Sequence, residues 1–251
     1  MPGLHDALNR FARQFALALQ RTTRGEPAGR FAGAGPVDDE LARTSTRHLP
    51  GAGVVVGVLS AFVFALTALL LRGNPGGPAV AAVTSLFAVL ALTRAAQEIA
   101  VFRLALALAP RAPGAGAGLG VVAVVMLLAG RIAMVAALGS ASEAGVVAAL
   151  LAGPVVSRFA PLLAALWSAH EGGEDAATVR IAALWCVVPL LLMVLAHGVA
   201  FLLLGLAGAV AAWIAMLRFF RRHPGAFDET RAAGLQQACE VAFYLGSSFG
   251  A

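Results

Sequence analysis

The chain has 251 residues, of which 60% are hydrophobic and only 12% are charged, with a formal net charge of +5. Soluble globular domains carry about a quarter charged residues, so this composition excludes an ordinary water-soluble fold, and the long apolar runs place the chain in a bilayer. All 18 basic residues are arginine, and seven of them lie in the first 47 positions. That reads as a cytoplasmic flank rather than a nucleic-acid patch.

Residues 4–21, "LHDALNRFARQFALALQR", place Leu4, Leu8, Phe11, Phe15 and Leu19 at helical spacing, with Asp6, Arg10 and Arg13 on other faces. The pattern predicts an amphipathic helix lying at the membrane surface. Residues 22–47 are rich in Gly, Arg and acids and read as a loop. Residues 1–47 therefore form a cytoplasmic helix and loop, and 48–251 a transmembrane helical domain. The first long apolar run starts near Gly51, beyond the reach of a signal-peptide core, so no cleavable signal is expected.

Gly51–Leu71 is an uncharged run of 21 residues, about the length a bilayer core requires. Arg72 and "GNPGGP" then turn the chain back. A second span starts near Ala79 and stays apolar to Leu92. Next comes "LALTRAAQEIAVFRLALALA", Leu90 to Ala109, with Arg94, Glu98 and Arg103 where a lipid-facing helix carries no charge. It reads as the cytoplasmic end of the second span plus a short helix. Further spans are expected at Leu119–Leu138 and Val146–Leu166, followed by the polar loop "WSAHEGGEDAATVR". The stretch Ile181–Leu217 is too long for one span and should break near His197–Gly198. A basic loop, "RFFRRHPGAFDETR", leads to a last helix from about Ala232 to Phe249.

The fold class that results is all-α: a polytopic helical bundle of about seven transmembrane helices. Arginines near the span ends put the N-terminus, the 93–117 segment and the "RFFRR" loop on the cytoplasmic side of a bacterial inner membrane. Membrane lipids are the surrounding partner. Gly- and Ala-rich faces permit close helix packing, within one chain or in a homo-oligomer.

Ionisable groups inside spans are costly and mark function by default. Arg131 and Arg158 each stand near the middle of a predicted span. Two guanidiniums facing one cavity suit phosphate or carboxylate; the plainer alternatives are snorkelling or pairing with Glu143 or another acid. Arg94 and Glu98 have the spacing of an ion pair along one helix. His197 reads as a hydrogen-bonded interior residue, and the His170, Glu171, Glu174 and Asp175 cluster as a solvated loop. Cys186 and Cys239 sit in apolar surroundings, without the spacing of a zinc site or a disulfide framework. Phosphoryl transfer needs carboxylates that hold a divalent cation. Acids stand side by side only in Asp38–Glu40, Asp228–Glu229 and the 174–175 loop.

Four segments in order resemble the cobalamin synthase family, the membrane-bound adenosylcobinamide-GDP ribazoletransferases. They are "FALALQRTTR", "TRHLPGAGVVVGVLSAFVFAL", "LLAGPVVSRFAPLLAALW" and "GLQQACEVAFYLG", the last with its Gln-Gln pair and its Glu-x-x-x-Tyr helix. The resemblance spans nearly the whole chain. It implies a role in cobamide (vitamin B12) biosynthesis: joining adenosylcobinamide-GDP to α-ribazole or its phosphate, with release of GMP and a requirement for Mg²⁺. It implies corrinoid and nucleotide as ligands, other cobamide-pathway membrane proteins as partners, and no nucleic acid. It also adds Gln236 and Gln237 to Arg131 and Arg158 as candidate ligand-binding residues.

The family's acidic signature falls on the Leu90–Ala109 stretch. Thr93 matches the Thr before it, Gln97 stands where the family has His, and Ile99, Arg103 and Leu106 stand where it has Asp. The family's Lys-Asp-x-x-x-Gly motif becomes "RAPGAGAGLG", without its acid. Its Gly-Tyr-Thr-Gly-Asp motif becomes "AFDET", with Thr230 at the Asp position. If the chain is an active transferase, Glu98, Asp228 and Glu229 are the remaining candidate metal ligands. Two alternatives stay open beside that reading: a catalytically silent relative or auxiliary subunit that binds corrinoid or nucleotide, and an unrelated small transporter.

Overall fold

The computed structural model describes residues 3–23, 38–109, 115–168, 176–223 and 225–251. Their regular structure is helical throughout. A surface helix α1 (Leu4–Thr23) is followed by a short α2 (Asp39–Ser45) and one turn of 3-10 helix, which runs directly into α3 (Leu49–Leu70). Asp38 starts α2 by accepting the Leu41 N–H at 2.7 Å, and Pro50 sits in the first turn of α3, where its missing N–H is harmless. Asn74 and Gly73, at φ 85°, reverse the chain into α4 (Gly77–Thr93).

After Thr93 the helix breaks. Arg94 and Ala95 both adopt left-handed backbone at φ 51°, and the chain leaves as α5 (Ala96–Leu108), bent 84° from α4. Two consecutive non-glycine residues in that region are uncommon and strained. The remaining helices are α6 (Ala115–Ala141), α7 (Glu143–Ser168), α8 (Ala176–His197), α9 (Val199–Arg222) and α10 (Glu229–Ser248). The break between α8 and α9 lies at the predicted place. Gly198 supplies it with φ 89°, a conformation that a side chain would oppose.

Every segment predicted to span forms a helix. Among the described residues five helical runs are each long and apolar enough to cross a bilayer, and the bent pair α4–α5, taken as one broken span, makes a sixth. The seventh, α10, falls short of that apolarity because it is the interior helix. It packs against α5, α6, α7 and α9 and buries Gln237, Glu240 and Tyr244 among them. A helix so enclosed has little lipid-facing surface to keep apolar, with Leu245 its exposed large apolar side chain. The outside of the bundle is apolar instead, with Phe62, Phe87, Met126, Leu184 and Val188 all exposed, as a bilayer solvent demands.

Small residues allow the close crossings. A Cβ on Gly208 would lie 2.1 Å from the Ala242 carbonyl oxygen, and one on Gly246 would lie 2.1 Å from that of Leu204. Thus α9 and α10 touch backbone to backbone. The α3–α7 contact is similar, with Gly53 against the Pro154 carbonyl.

The inward edge of α1 is Gln14, Ala18 and Thr22, while Leu8 and Phe11 of its apolar stripe are exposed, on the face expected to lie on the membrane. The polar edge is buried because Gln14 bonds Thr44 and Arg47. Two expectations are corrected. Residues 39–48 are helical rather than loop and continue into the first span. His197 is exposed at the end of α8, edge-on to Phe201, not an interior residue. Cys186 and Cys239 are free and buried. The acidic loop at 170–175 lies outside the described residues.

Candidate functional site

Four helices bring an ionic cluster into the bundle interior: Glu98 from α5, Arg131 from α6, Ser157 and Arg158 from α7, and Glu240 and Tyr244 from α10. Glu240, 1% exposed, is its hub. An Arg131 Nη approaches its carboxylate to 2.9 Å, the Tyr244 hydroxyl donates to it at 3.1 Å, and the Ser157 hydroxyl donates to its other oxygen at 3.3 Å. Arg131 also lies over the Tyr244 ring, 5.9 Å from its centroid. Arg158 donates to the Pro154 carbonyl at 2.8 Å, and its charge acts on Glu240 and Glu98. Spacing on α10 explains the hub: Gln237, Glu240 and Tyr244 follow at three and four residues and share one face.

The ion pairs suggested by spacing are corrected here. Arg131 pairs with Glu240, not with Glu143, which is exposed at the start of α7. Arg94 does not pair with Glu98. Arg94 is taken up by the left-handed break, and the 84° bend swings Glu98 inward, where Arg131, Arg158 and Glu240 are the charges that act on it. One Glu98 oxygen is buried with no hydrogen-bond partner among the described residues, as are Arg158 Nε, Gln236 Nε2 and Gln237 Oε1. Next to the cluster, Gln237 donates to Gln97 and ties α10 to α5.

A cavity of about 630 Å³ lies where α5 meets the end of α9 and the start of α10. Arg103, Arg222, His223, Asp228, Thr230 and Arg231 supply its polar lining. Arg231 is held in place. It donates to the Gly225 carbonyl at 2.9 Å and the His223 carbonyl at 2.7 Å, and it covers the Phe220 ring at 5.3 Å. Asp228 caps α10 by accepting the Arg231 N–H at 2.9 Å. Arg103 and Arg222 are exposed and have no hydrogen-bond or ion-pair partner among the described residues. The cavity therefore offers two unengaged guanidiniums and the N-terminus of a helix, a donor set for phosphate.

The same lining does not suit a divalent cation. Glu98 is buried in the interior cluster, while Asp228 and Glu229 are exposed at the start of α10, Asp228 already in use as a cap. Among the described residues no three His, Cys, Asp or Glu side chains lie close enough to hold a metal ion. Glu98, Asp228 and Glu229 thus do not converge. Arg131 and Arg158 do converge, but around the chain's own carboxylates and away from the cavity lining.

Glu240, Tyr244 and Ser157 went unnoticed as members of a cluster. Their signal was present: a Glu-x-x-x-Tyr pair in the last apolar helix, and an acid with no basic residue three or four positions away on its own helix.

No protein-family model matches the chain, and no solved structure does. Three characterised-by-name relatives match it almost end to end. It is 32% identical over 275 positions to the adenosylcobinamide-GDP ribazoletransferase of Polaromonas sp. strain JS666, covering 95% of this chain and 97% of the relative. It is 34% identical over 271 positions to the protein of that name from Polaromonas naphthalenivorans, covering 94% and 97%. The protein of the same name from Albidiferax ferrireducens is 30% identical over 281 positions, covering 97% and 100%.

Proposed function

The chain belongs to the cobalamin synthase family of adenosylcobinamide-GDP ribazoletransferases, and on that premise we propose that it binds the GDP-activated corrinoid at the cavity between α5, α9 and α10 and transfers it to α-ribazole or its phosphate, releasing GMP. One observation carries the reading. The two segments that occupy the places of the family's acidic motifs, 97–106 and 226–230, are far apart in sequence yet line one cavity through Arg103, Asp228 and Thr230.

In that transfer a ribazole hydroxyl oxygen bonds the phosphorus that carries the corrinoid, the bond from that phosphorus to the GMP oxygen breaks, GMP leaves with the negative charge, and the hydroxyl proton passes to solvent. A cation must meet that charge. At the cavity, Arg103 and Arg222 are the lining arginines without a hydrogen-bond or ion-pair partner among the described residues, planar forks that grip two phosphate oxygens at once. Arg231 and Asp228 hold the wall of the cavity through their backbone contacts. The Mg²⁺ that the family resemblance implies has no carboxylate set to hold it among the described residues. The reading places the cavity on the cytoplasmic side of a bacterial inner membrane, with the N-terminus on the same side. It is supported by the arginines at 94, 103, 218, 221 and 222, which fall at one end of the alternating helices.

A second reading is favoured by the same donor set: a relative that binds the corrinoid nucleotide without turning it over. One assay separates the two. Purified protein in detergent receives adenosylcobinamide-GDP, α-ribazole and Mg²⁺. GMP release is the expected result; corrinoid binding without GMP establishes the second reading, and no binding overturns both. A chelator should leave corrinoid affinity unchanged, and a large loss would restore a metal site to the protein.

A further inference from the structure

A second cavity, of about 670 Å³, lies where α1, α2 and the Thr46–His48 turn meet the first half of α8. It shares no residue with the phosphate-facing mouth. Its floor is a hydrogen-bonded chain. Trp185 Nε1 donates to His48 Nδ1 at 3.3 Å, which leaves the proton on His48 Nε2, 3.4 Å from Gln14 Oε1. The same Gln14 oxygen accepts from Arg47, and Gln14 Nε2 donates to Thr44 at 3.1 Å. Phe11 and Phe15 stack on Trp185, with centroids 6.3 and 5.5 Å away. Gln14 is only 8% exposed, so this is a built site rather than a surface accident.

Three charged side chains line the space above that floor: Arg10 from α1, Arg47 from the turn and Glu40 from α2. Arg47 Nε is buried and has no partner among the described residues. The opposite rim is apolar. Leu184, 69% exposed, belongs to the lipid-facing side of α8, a helix long enough to span the bilayer, and Phe11 lies half exposed on α1 beside the uncovered Leu8. One wall therefore seeks a phosphate and an amine, and the other seeks hydrocarbon. A free nucleotide would satisfy only the first wall.

We infer that this cavity is a phospholipid site that seats the headgroup of an amine-bearing lipid, with Arg10 and Arg47 on the phosphate, Glu40 on the ammonium, and the acyl chains against Leu184. Occupied, it fixes α1 at the membrane surface and lets Leu8 and Phe11 enter the acyl region.

The test uses the full-length protein in nanodiscs of equal phosphatidylethanolamine, phosphatidylglycerol and phosphatidylcholine, with native mass spectrometry counting the lipids that stay bound. Phosphatidylethanolamine should be retained in preference. Arg10→Ala should lower retained phospholipid about fivefold, the effect of one basic side chain near a lipid surface. Glu40→Gln should erase the preference over phosphatidylcholine while leaving phosphate binding. Both positions are exposed, so neither variant endangers folding. Equal retention in wild type and Arg10→Ala would overturn the site, and an unchanged preference in Glu40→Gln would overturn its amine arm. Displacement of the lipid by millimolar phosphoethanolamine or inorganic phosphate would show that acyl chains play no part and would overturn the lipid assignment.

Discussion

Two of the places where arginines gather among the described residues, the bundle interior and the cavity mouth beside α5, differ in who supplies the negative charge. In the interior, Arg131 and Arg158 meet Glu240 and Glu98, and the hydroxyls of Tyr244 and Ser157 complete the Glu240 carboxylate. At the mouth, Arg103 and Arg222 face a cavity in which Asp228 is already committed to capping a helix. The same guanidinium is structural in the first place and available in the second. One helix, α10, serves both: its start frames the cavity, and its middle carries the hub of the ionic cluster. An arginine inside a span is thus no guide to ligand binding until its counter-charge is found.

The sharpest way to break that contrast is to remove the interior anion. Glu240→Ala leaves Arg131 buried at 3% exposure without its paired carboxylate and removes an acceptor from the Tyr244 and Ser157 hydroxyls. Breaking one side of a buried pair costs about 3–5 kcal/mol, so folded yield and melting temperature in detergent should fall steeply. Pairing it with Arg131→Met removes the orphaned charge and should recover a large part of that loss. An unchanged melting temperature in Glu240→Ala would make the cluster dispensable and leave both arginine sites equivalent.

The mouth should respond in the opposite way. Arg103→Ala removes an exposed group that has no hydrogen-bond or ion-pair partner among the described residues, so the melting temperature should stay put. Affinity for adenosylcobinamide-GDP should fall roughly 10- to 100-fold, the range for losing a hydrogen bond to a charged partner. Raising the salt concentration should weaken binding to the wild type more than to the variant, because an exposed charge contact is screened. A titration that shows equal affinity would remove Arg103 from the site.

How much of this was readable beforehand follows from which forces are local. Apolar runs and the Gly198 break depend on a few neighbouring residues, and they stand where the sequence puts them, whereas the Asp38 and Asp228 caps fell in segments that read as loops. The α4–α5 hinge was visible as a charged interruption, but its direction was not. Arg94 and Ala95 take a backbone conformation that their own side chains oppose, so only the packing of the whole bundle imposes it. Spacing on one helix suggested Arg94 for Glu98, whereas the bend delivered Glu98 to partners on other helices. On α1 the apolar stripe marked the exposed face, but nothing local showed that Gln14 would be inside, because Thr44, Arg47 and His48 complete it from the next helical segment.

The smallest expected effect is the most discriminating, because it separates the two roles open to Asp228. As a cap, its oxygen accepts the Arg231 N–H and so steadies the residues whose side chain holds the cavity wall. Asp228→Ala removes that acceptor and should lower stability by about 1 kcal/mol, with a modest loss of corrinoid affinity as the wall loosens. Asparagine caps a helix as well as aspartate does, so Asp228→Asn should keep the melting temperature of the wild type. It also deletes a negative charge that faces an anionic substrate, and affinity should hold or rise slightly. A cation ligand would behave otherwise, since the neutral amide gives up the charge that holds the metal. Titration and melting of the two variants side by side therefore decide the point. If Asp228→Asn loses binding as fully as Asp228→Ala while remaining folded, the carboxylate's charge is what the mouth needs, and the arginines there do not act alone.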